Sequence, residues 1–329
     1  MLPFTNLSSD PSQDYFADGI TENLATVLSR IRNSFVIARN TAFTFKGKNI
    51  PVKEISKELG VRYVLEGSVQ RDQNRVRVNA QLIDGETGAH LWADRFEEDV
   101  ADVFRLQDQV VARLANTLGS ELVKAEAEKS SHTGNSDAID LTMRGWAILN
   151  QPQLVADRDS ITKALDLFEQ ALKLDPNDVD ALVGAAVAER YNFIYGGMGE
   201  PGQIARMEEL LAHAIRIDQT NARAYVVRGT LYVVTKRTKE AKEAAQNAVR
   251  LNPSYASAYA QLAQDEVTPA EYPLAIANVE EAIKLSPRDP EMGRWHWIKG
   301  KTFAYMGRYQ DAIREEQAAL DSGYSAWPA

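Results

Sequence analysis

The sequence predicts two architectures in tandem: a small α/β domain in which helices cover a mixed sheet, then an all-α solenoid of stacked helical hairpins. Three observations predict it. In the second half, Leu251-Asn252-Pro253 and Leu285-Ser286-Pro287 place their prolines 34 positions apart, and Ile217-Asp218-Gln219 lies 34 before the first of them. A fixed period of that length marks one repeated supersecondary unit that buries its apolar face only by stacking on its neighbours. In the first half, spacings of three and four at Phe16, Ile20, Leu24, Leu28 and Ile31 give way to strict alternation at Val76, Val78, Ala80 and Leu82, a change from the helical to the strand period. Between the halves, Ser130 to Ser136 (SSHTGNS) is small and polar, the composition of a domain boundary.

Leu2-Pro3-Phe4 reads as the tail of a strand that begins upstream, so the chain reads as a fragment of something longer. A helix is predicted over residues 14–32, with Ser12 or Asp14 as its cap. Phe35-Val36-Ile37-Ala38 reads as a short buried strand, and residues 40–49 as a loop with Lys46-Gly47-Lys48 near its tip. Pro51 opens a second helix and Gly60 closes it. Residues 61–70 and 75–84 flank Asp72-Gln73-Asn74 as a hairpin, with Arg75, Arg77, Asn79 and Gln81 on the wet face of the second strand. The turn at Asp84 to Gly88 leads into a strand over residues 89–96. A last helix over residues 100–118 carries Val103, Val110 and Leu114 on one stripe, with Glu97-Glu98-Asp99 as its charged start.

The repeats are of the tetratricopeptide type. Five hairpins are predicted: residues 137–150 with 157–174, 179–193 with 203–217, 222–235 with 238–251, 256–266 with 272–285, and 293–306 with 309–321. Small residues such as Gly229, Ala241 and Ala248 let helices approach, and Gly196-Gly197-Met198-Gly199 marks an insertion in the second hairpin. Residues 324–329 offer no clear polar capping helix, a second sign of truncation.

The segments LPFTNLSSDPSQDYFADGITENLATVLSRI, VIARNTAFTFKGK, ELGVRYVLEGSVQRDQNRVRVNAQLID and GAHLWADRFEEDVADVFRLQD resemble the TolB amino-terminal-like domain, over about residues 1–120. In bacterial class III adenylate cyclases that domain precedes tetratricopeptide repeats, and it also follows winged-helix DNA-binding domains in some regulators. The resemblance implies a domain at 1–128, a linker at 129–136 and repeats at 137–329, with an output domain removed or encoded elsewhere. It also implies a bacterial signalling role as the regulatory part of a cyclase-like protein. The sensor half of a winged-helix regulator and a periplasmic TolB-like scaffold are the alternatives. A cytoplasmic location goes with the first two readings and a periplasmic one with the last.

Composition bounds the chemistry. The chain is 44% hydrophobic and 25% charged, as soluble proteins are, and its net charge of -9 argues against a phosphate-binding surface, so no nucleic acid is expected. There is no cysteine, which removes disulfides, thiol catalysis and Cys-ligated zinc. The longest stretch without Asp, Glu, Lys or Arg, residues 251–264, contains a proline and is shorter than the roughly 18 apolar residues of a membrane span. His90, His132, His213 and His296 are scattered, so surface or packing roles are expected rather than metal ligation. Ser8-Ser9 and Ser130-Ser131 lack a nucleophile elbow, and Lys46-Gly47-Lys48 lacks the strand-to-helix context of a phosphate loop. Residues 39–48 carry the cations to meet an anion or a partner loop, though a solvated turn is the preferred reading. The paired metal-binding aspartates and purine-reading residues of class III cyclases find no place in residues 1–120, so no enzyme activity and no cofactor are expected.

The expected activity is binding of a protein or peptide partner on the concave face of the solenoid. Repeat phase assigns Trp146, Arg190, Tyr191, Arg223, Thr230, Gln264, Arg294, Trp297, Lys301 and Tyr305 to that face. Aromatic and Arg residues there are of the type that dominates binding hot spots. Packing against a neighbouring domain or hairpin is the competing reading for Trp146 and Trp297. The sequence leaves the partner and the oligomeric state open.

Overall fold

The computed structural model describes residues 1–8, 10–29, 35–102, 105, 109–110, 135–150, 158–195, 202–265 and 268–324. They divide into two compact units, Met1–Gln219 and Thr220–Ala329.

The first unit opens with a four-stranded sheet in the order β1-β2-β3-β4. Strand β1 (Thr5–Asn6) runs parallel to β2 (Tyr63–Asp72), which forms an antiparallel meander with β3 (Arg75–Asp84) and β4 (His90–Asp99). The predicted alternation holds: Val76, Val78, Ala80 and Leu82 are buried, paired across the strands with Leu65, Val69 and Trp92 on the same face. Helix α1 (Asp14–Ser29) covers that face with Phe16, Ile20 and Leu24, all at most 1% exposed. Its cap is neither Ser12 nor Asp14. Asp10 accepts the Ser12 N–H and starts a short 3-10 turn that runs into the helix.

Three further expectations are corrected. Phe35-Val36-Ile37-Ala38 is no strand: it has no place in the sheet, and of the four only Ile37 is buried. The loop at 40–49 begins with a helical turn, α2 (Arg39–Phe43). Glu97-Glu98-Asp99 do not start a helix but end β4, where Glu97 meets the Arg77 and Arg95 guanidiniums across and along the sheet. Helix α3 (Val52–Leu59) is bounded as predicted, by Pro51 and by Gly60 at φ 63°. The predicted helix over 100–118 falls largely outside the described residues, as do most of the 130–136 linker, the 196–199 insertion and the last five residues.

The first two hairpins complete this unit: α4 (Ser136–Leu149) with α5 (Arg158–Leu174), and α6 (Val179–Tyr195) with α7 (Gln203–Ile217). Small residues set the spacing. A Cβ on Gly145 or Gly184 would stand 2.7 or 2.4 Å from the ring of the fully buried Phe168, so α4 and α6 close on that ring from two sides. Ile139 and Met143 of α4 belong to the same apolar cluster as Phe16, Ile20 and Trp92. The first repeat helix thus finishes the core of the α/β layer.

The second unit holds three hairpins: α8 (Ala222–Val234) with α9 (Thr238–Leu251), α10 (Ala256–Asp265) with α11 (Tyr272–Leu285), and α12 (Met292–Tyr305) with α13 (Tyr309–Asp321). All ten repeat helices lie within a few residues of their predicted bounds. At Gly229 a Cβ would meet the Gln261 amide nitrogen at 2.2 Å, the close helix contact expected of that position.

Candidate protein-binding face

In the second unit the first helices α8, α10 and α12 stand side by side, so one face of the sheet of helices is theirs. Arg223 and Thr230 lie on α8, Gln264 on α10, and Arg294, Trp297, Lys301 and Tyr305 on α12. Several are already engaged. The Thr230 hydroxyl donates to the Val227 carbonyl at 2.7 Å, one turn back in its own helix. An Arg294 guanidinium N–H donates to the Gln264 side-chain carbonyl, which ties α12 to α10, while a second donates to Glu291 at 3.0 Å. Arg223 is half-buried and also has a partner.

Trp297, Lys301 and Tyr305 follow one another at four-residue steps, which stacks them on one stripe of α12. The Lys301 ammonium lies 5.2 Å from the Trp297 ring centroid and 5.7 Å from that of Tyr305. Two aromatic faces therefore bracket one cation that has no carboxylate partner among the described residues. Tyr305 is 59% exposed and its ring sits 5.9 Å from that of Tyr272, while Trp297 lies 6.1 Å from Tyr324. An exposed tyrosine at the end of such a stripe leaves apolar area and a cation open to solvent, the combination that a partner's acidic and apolar side chains bury best.

The three candidates in the first unit sit differently. Trp146 is anchored: its indole N–H donates to the Asp180 carbonyl at 3.2 Å, and its ring packs edge-on against Phe168 at 5.6 Å. It shares its face of α4 with Ile139, Met143 and Asn150, and α1 lies on that face. Met143 touches Gly19 of α1, and the Asn150 amide donates to Glu22 at 3.0 Å. Arg190 and Tyr191 are half-buried on α6, the guanidinium 4.9 Å from the neighbouring ring.

A polar cluster that sequence reasoning missed explains this arrangement. Asp140 of α4 accepts from the Tyr15 hydroxyl of α1 and from the Arg71 guanidinium of β2, and its second oxygen lies 2.8 Å from Arg144 Nε. Arg71 stacks on Phe16 at 4.7 Å and Arg144 on Tyr15 at 5.1 Å. Burial first, then the Asp140 hydrogen bond, raises the Tyr15 pKa, which keeps the phenol a donor. In the sequence only Arg144, one turn on, suggests a partner for Asp140; Arg71 and Tyr15 lie 69 and 125 residues away.

Among the described residues no group of three His, Asp or Glu stands close enough to hold a metal ion, and no helix is long and apolar enough to cross a membrane.

Residues 222–255 and 260–326 match tetratricopeptide-repeat family models, so these hairpins are tetratricopeptide repeats. The chain is 38% identical over 247 residues to "Putative adenylate cyclase 3" of Rhizobium meliloti (strain 1021), a match that covers 74% of this chain and 41% of that protein. It is 31% identical over 190 residues to "DnaJ homolog subfamily C member 7" of Homo sapiens, covering 54% of this chain and 36% of the relative. The chain thus spans less than half the length of the curated relatives it matches. Among solved structures, Pseudomonas aeruginosa pilF aligns at 18% identity over 57% of this chain and 78% of its own, with a TM-score of 0.46. TTC0263 of Thermus thermophilus, described as a thermophilic TPR protein, aligns at 21% identity over 56% and 91% with a TM-score of 0.44.

Proposed function

We propose that this chain is a non-catalytic regulatory and protein-interaction region of a bacterial adenylate cyclase-like signalling protein. In this reading residues 1–128 are a TolB amino-terminal-like domain, 129–136 a linker and 137–329 the repeats, and the partner is a polypeptide on the face formed by α8, α10 and α12. The Rhizobium meliloti relative supports the cyclase context by its name and by the extent of the match. A cyclase consumes ATP inside the cell, which supports a cytoplasmic location. The observation that carries the binding reading is the Trp297–Lys301–Tyr305 stripe, a bracketed cation beside an exposed ring. An acidic, extended or helical segment gains charge complementarity and aromatic burial there at once.

The direct test places a photo-crosslinking residue at Tyr305 in the source cell and compares the wild-type background with the Trp297→Ala, Lys301→Ala pair. Loss of a hot spot costs about 2 kcal/mol or more, so the adduct disappears in the double variant while the fold is kept. An equal adduct in both backgrounds rejects this face. Purified chain incubated with ATP and manganese yields no cyclic AMP above a blank; a clear yield rejects the non-catalytic reading.

A further inference from the structure

The face of the sheet turned away from α1 carries a groove of about 740 Å3, within the usual size range for small-molecule sites. Its floor is polar. Glu66 and Ser68 of β2 stand directly across from Gln81 and Asn79 of β3, and Asn79 in turn from Arg95 of β4. The Gln81 amide donates to Glu66 at 2.6 Å and the Asn79 amide to Ser68 at 3.1 Å. The wall is the segment that runs from Phe45 past Lys48 to Ile50, with the buried Ile55 of α3 behind it and Leu2 and Pro3 at its side.

The charges in this groove select a ligand class. Lys46 is spent on Asp18 at 2.7 Å and Asp14 at 3.5 Å, and Arg95 on Glu97 at 2.7 Å. Asp94 also lines the groove, but it stands opposite Ala80 on the other face of the strand and has a partner of its own. Two charges then remain: the Lys48 ammonium, with no carboxylate partner among the described residues, and the Glu66 carboxylate, met among them by a neutral amide. A simple anion would meet Glu66 and a simple cation would meet Lys48. A molecule with both signs satisfies each. The Ser68 hydroxyl hydrogen, which has no acceptor among the described residues, and the Asn79 side-chain carbonyl add neutral hydrogen bonds between them, and Ile50, Leu2 and Pro3 offer apolar area. We propose that this groove binds a free α-amino acid with an apolar side chain, its ammonium on Glu66, its carboxylate on Lys48 and its side chain along the Ile50 wall. This assignment is independent of the polypeptide-binding reading above.

The experiment uses the full chain in thermal-shift and calorimetric titrations with L-leucine, L-valine and L-isoleucine. The controls are leucinamide, which lacks the carboxylate, 4-methylpentanoate, which lacks the ammonium, and inorganic phosphate. Saturable binding of at least one of the amino acids is expected, weakened about tenfold or more by Glu66→Gln and by Lys48→Ala, since each removes one charge-assisted hydrogen bond. Glu66 is half-buried on β2 and Lys48 is exposed in the loop before α3, so both variants keep the far-ultraviolet dichroism of the parent. No saturable binding at millimolar concentration overturns the proposal. So does undiminished binding in both variants, or binding of phosphate, leucinamide or 4-methylpentanoate as tight as that of the amino acid.

Discussion

Tyr15 donates its phenolic hydrogen to Asp140, a residue 125 positions downstream, and by doing so joins the α/β layer to the first repeat helix. Asp140 also holds the Arg71 and Arg144 guanidiniums, and the carboxylate is largely shielded from solvent by these partners. Truncating one partner of a shielded ion pair leaves the others charged and unsatisfied. Asp140→Ala is expected to cost about 3 kcal/mol in urea unfolding, and Tyr15→Phe, which removes one donor, about 1 kcal/mol. A change below about 0.5 kcal/mol for Asp140→Ala, the scale of ordinary surface substitutions, would mean that the cluster is ornamental.

Phe168 makes a second, purely steric prediction. Its ring is sealed between two glycines, and the Cβ of a substituted Gly184 would stand 2.4 Å from Cε1 and Cζ. The ring is fully buried and cannot swing aside. Gly184→Val is expected to cost about 3 kcal/mol, the upper end of overpacking, and Phe168→Leu in the same chain is expected to recover part of that loss. A Gly184→Val variant that melts at the parent's temperature would place the helices further apart than described.

The repeat boundaries were legible because local chemistry sets them. Asn221 caps α8 by accepting the Ala224 N–H, Pro253 and Pro287 follow helix ends, and glycines stand where helices touch. The β2–β3 hairpin was legible from alternation for the same reason. The errors fall where a nonlocal neighbour decides. Phe35 to Ala38 has a strand's composition, but the four strands of the sheet pair without it. Glu97 to Asp99 has the charge of a helix start, but Arg77 across on β3 and Arg95 along β4 meet Glu97 within the sheet. Trp146 is a different case: its phase suits a binding residue, and its contacts with Phe168 and Asp180 are of the packing kind that the sequence offers as the competing reading. Nothing in the order of residues announces that α1 lies on α4.

Asp178 carries a pH prediction. It precedes α6, where one oxygen accepts the Ala181 N–H at 3.0 Å and the other the Thr142 hydroxyl of α4 at 2.7 Å. Burial, then the neighbouring Asp180 charge, raises its pKa to about 6 against those two hydrogen bonds. A carboxylic acid that holds its proton more tightly when folded stabilises the protein below the ordinary carboxylate range, and that contribution is lost as pH rises from about 4 to about 6. Asp178→Asn removes the charge and keeps the capping oxygen. The variant should therefore exceed the parent at pH 7 by on the order of 1 kcal/mol, with the difference shrinking towards pH 4. A difference that stays flat between pH 4 and pH 7 would show that Asp178 titrates normally.

The opposite sign is expected at Glu315 in the last hairpin. Lys299 of α12 reaches Glu280 of α11 at 3.1 Å and Glu315 of α13 at 3.0 Å, so one ammonium ties two hairpins together. His296 Nδ1 meets the second Glu315 oxygen at 2.7 Å. Burial works to raise the Glu315 pKa, but the hydrogen bonds from His296 and Lys299 outweigh it and the net direction is downward. A carboxylate lowered on folding contributes stability above its unfolded pKa and loses it as pH falls through the folded value. Between pH 7 and pH 3 the parent should therefore lose more stability than Glu315→Gln, which has no charge to protonate. Lys299→Met should cost about 2 kcal/mol at pH 7, because Glu315 then keeps its shielded charge with only the histidine to meet it. The Lys299→Met, Glu315→Gln pair should be less destabilised than the two single losses added together, since it removes the charge and its counter-charge at once. Thermal unfolding of the four proteins at pH 3, 5 and 7 measures all three quantities. Parallel pH profiles for the parent and Glu315→Gln, with additive losses in the pair, would show that Lys299 joins the hairpins by packing and not by charge.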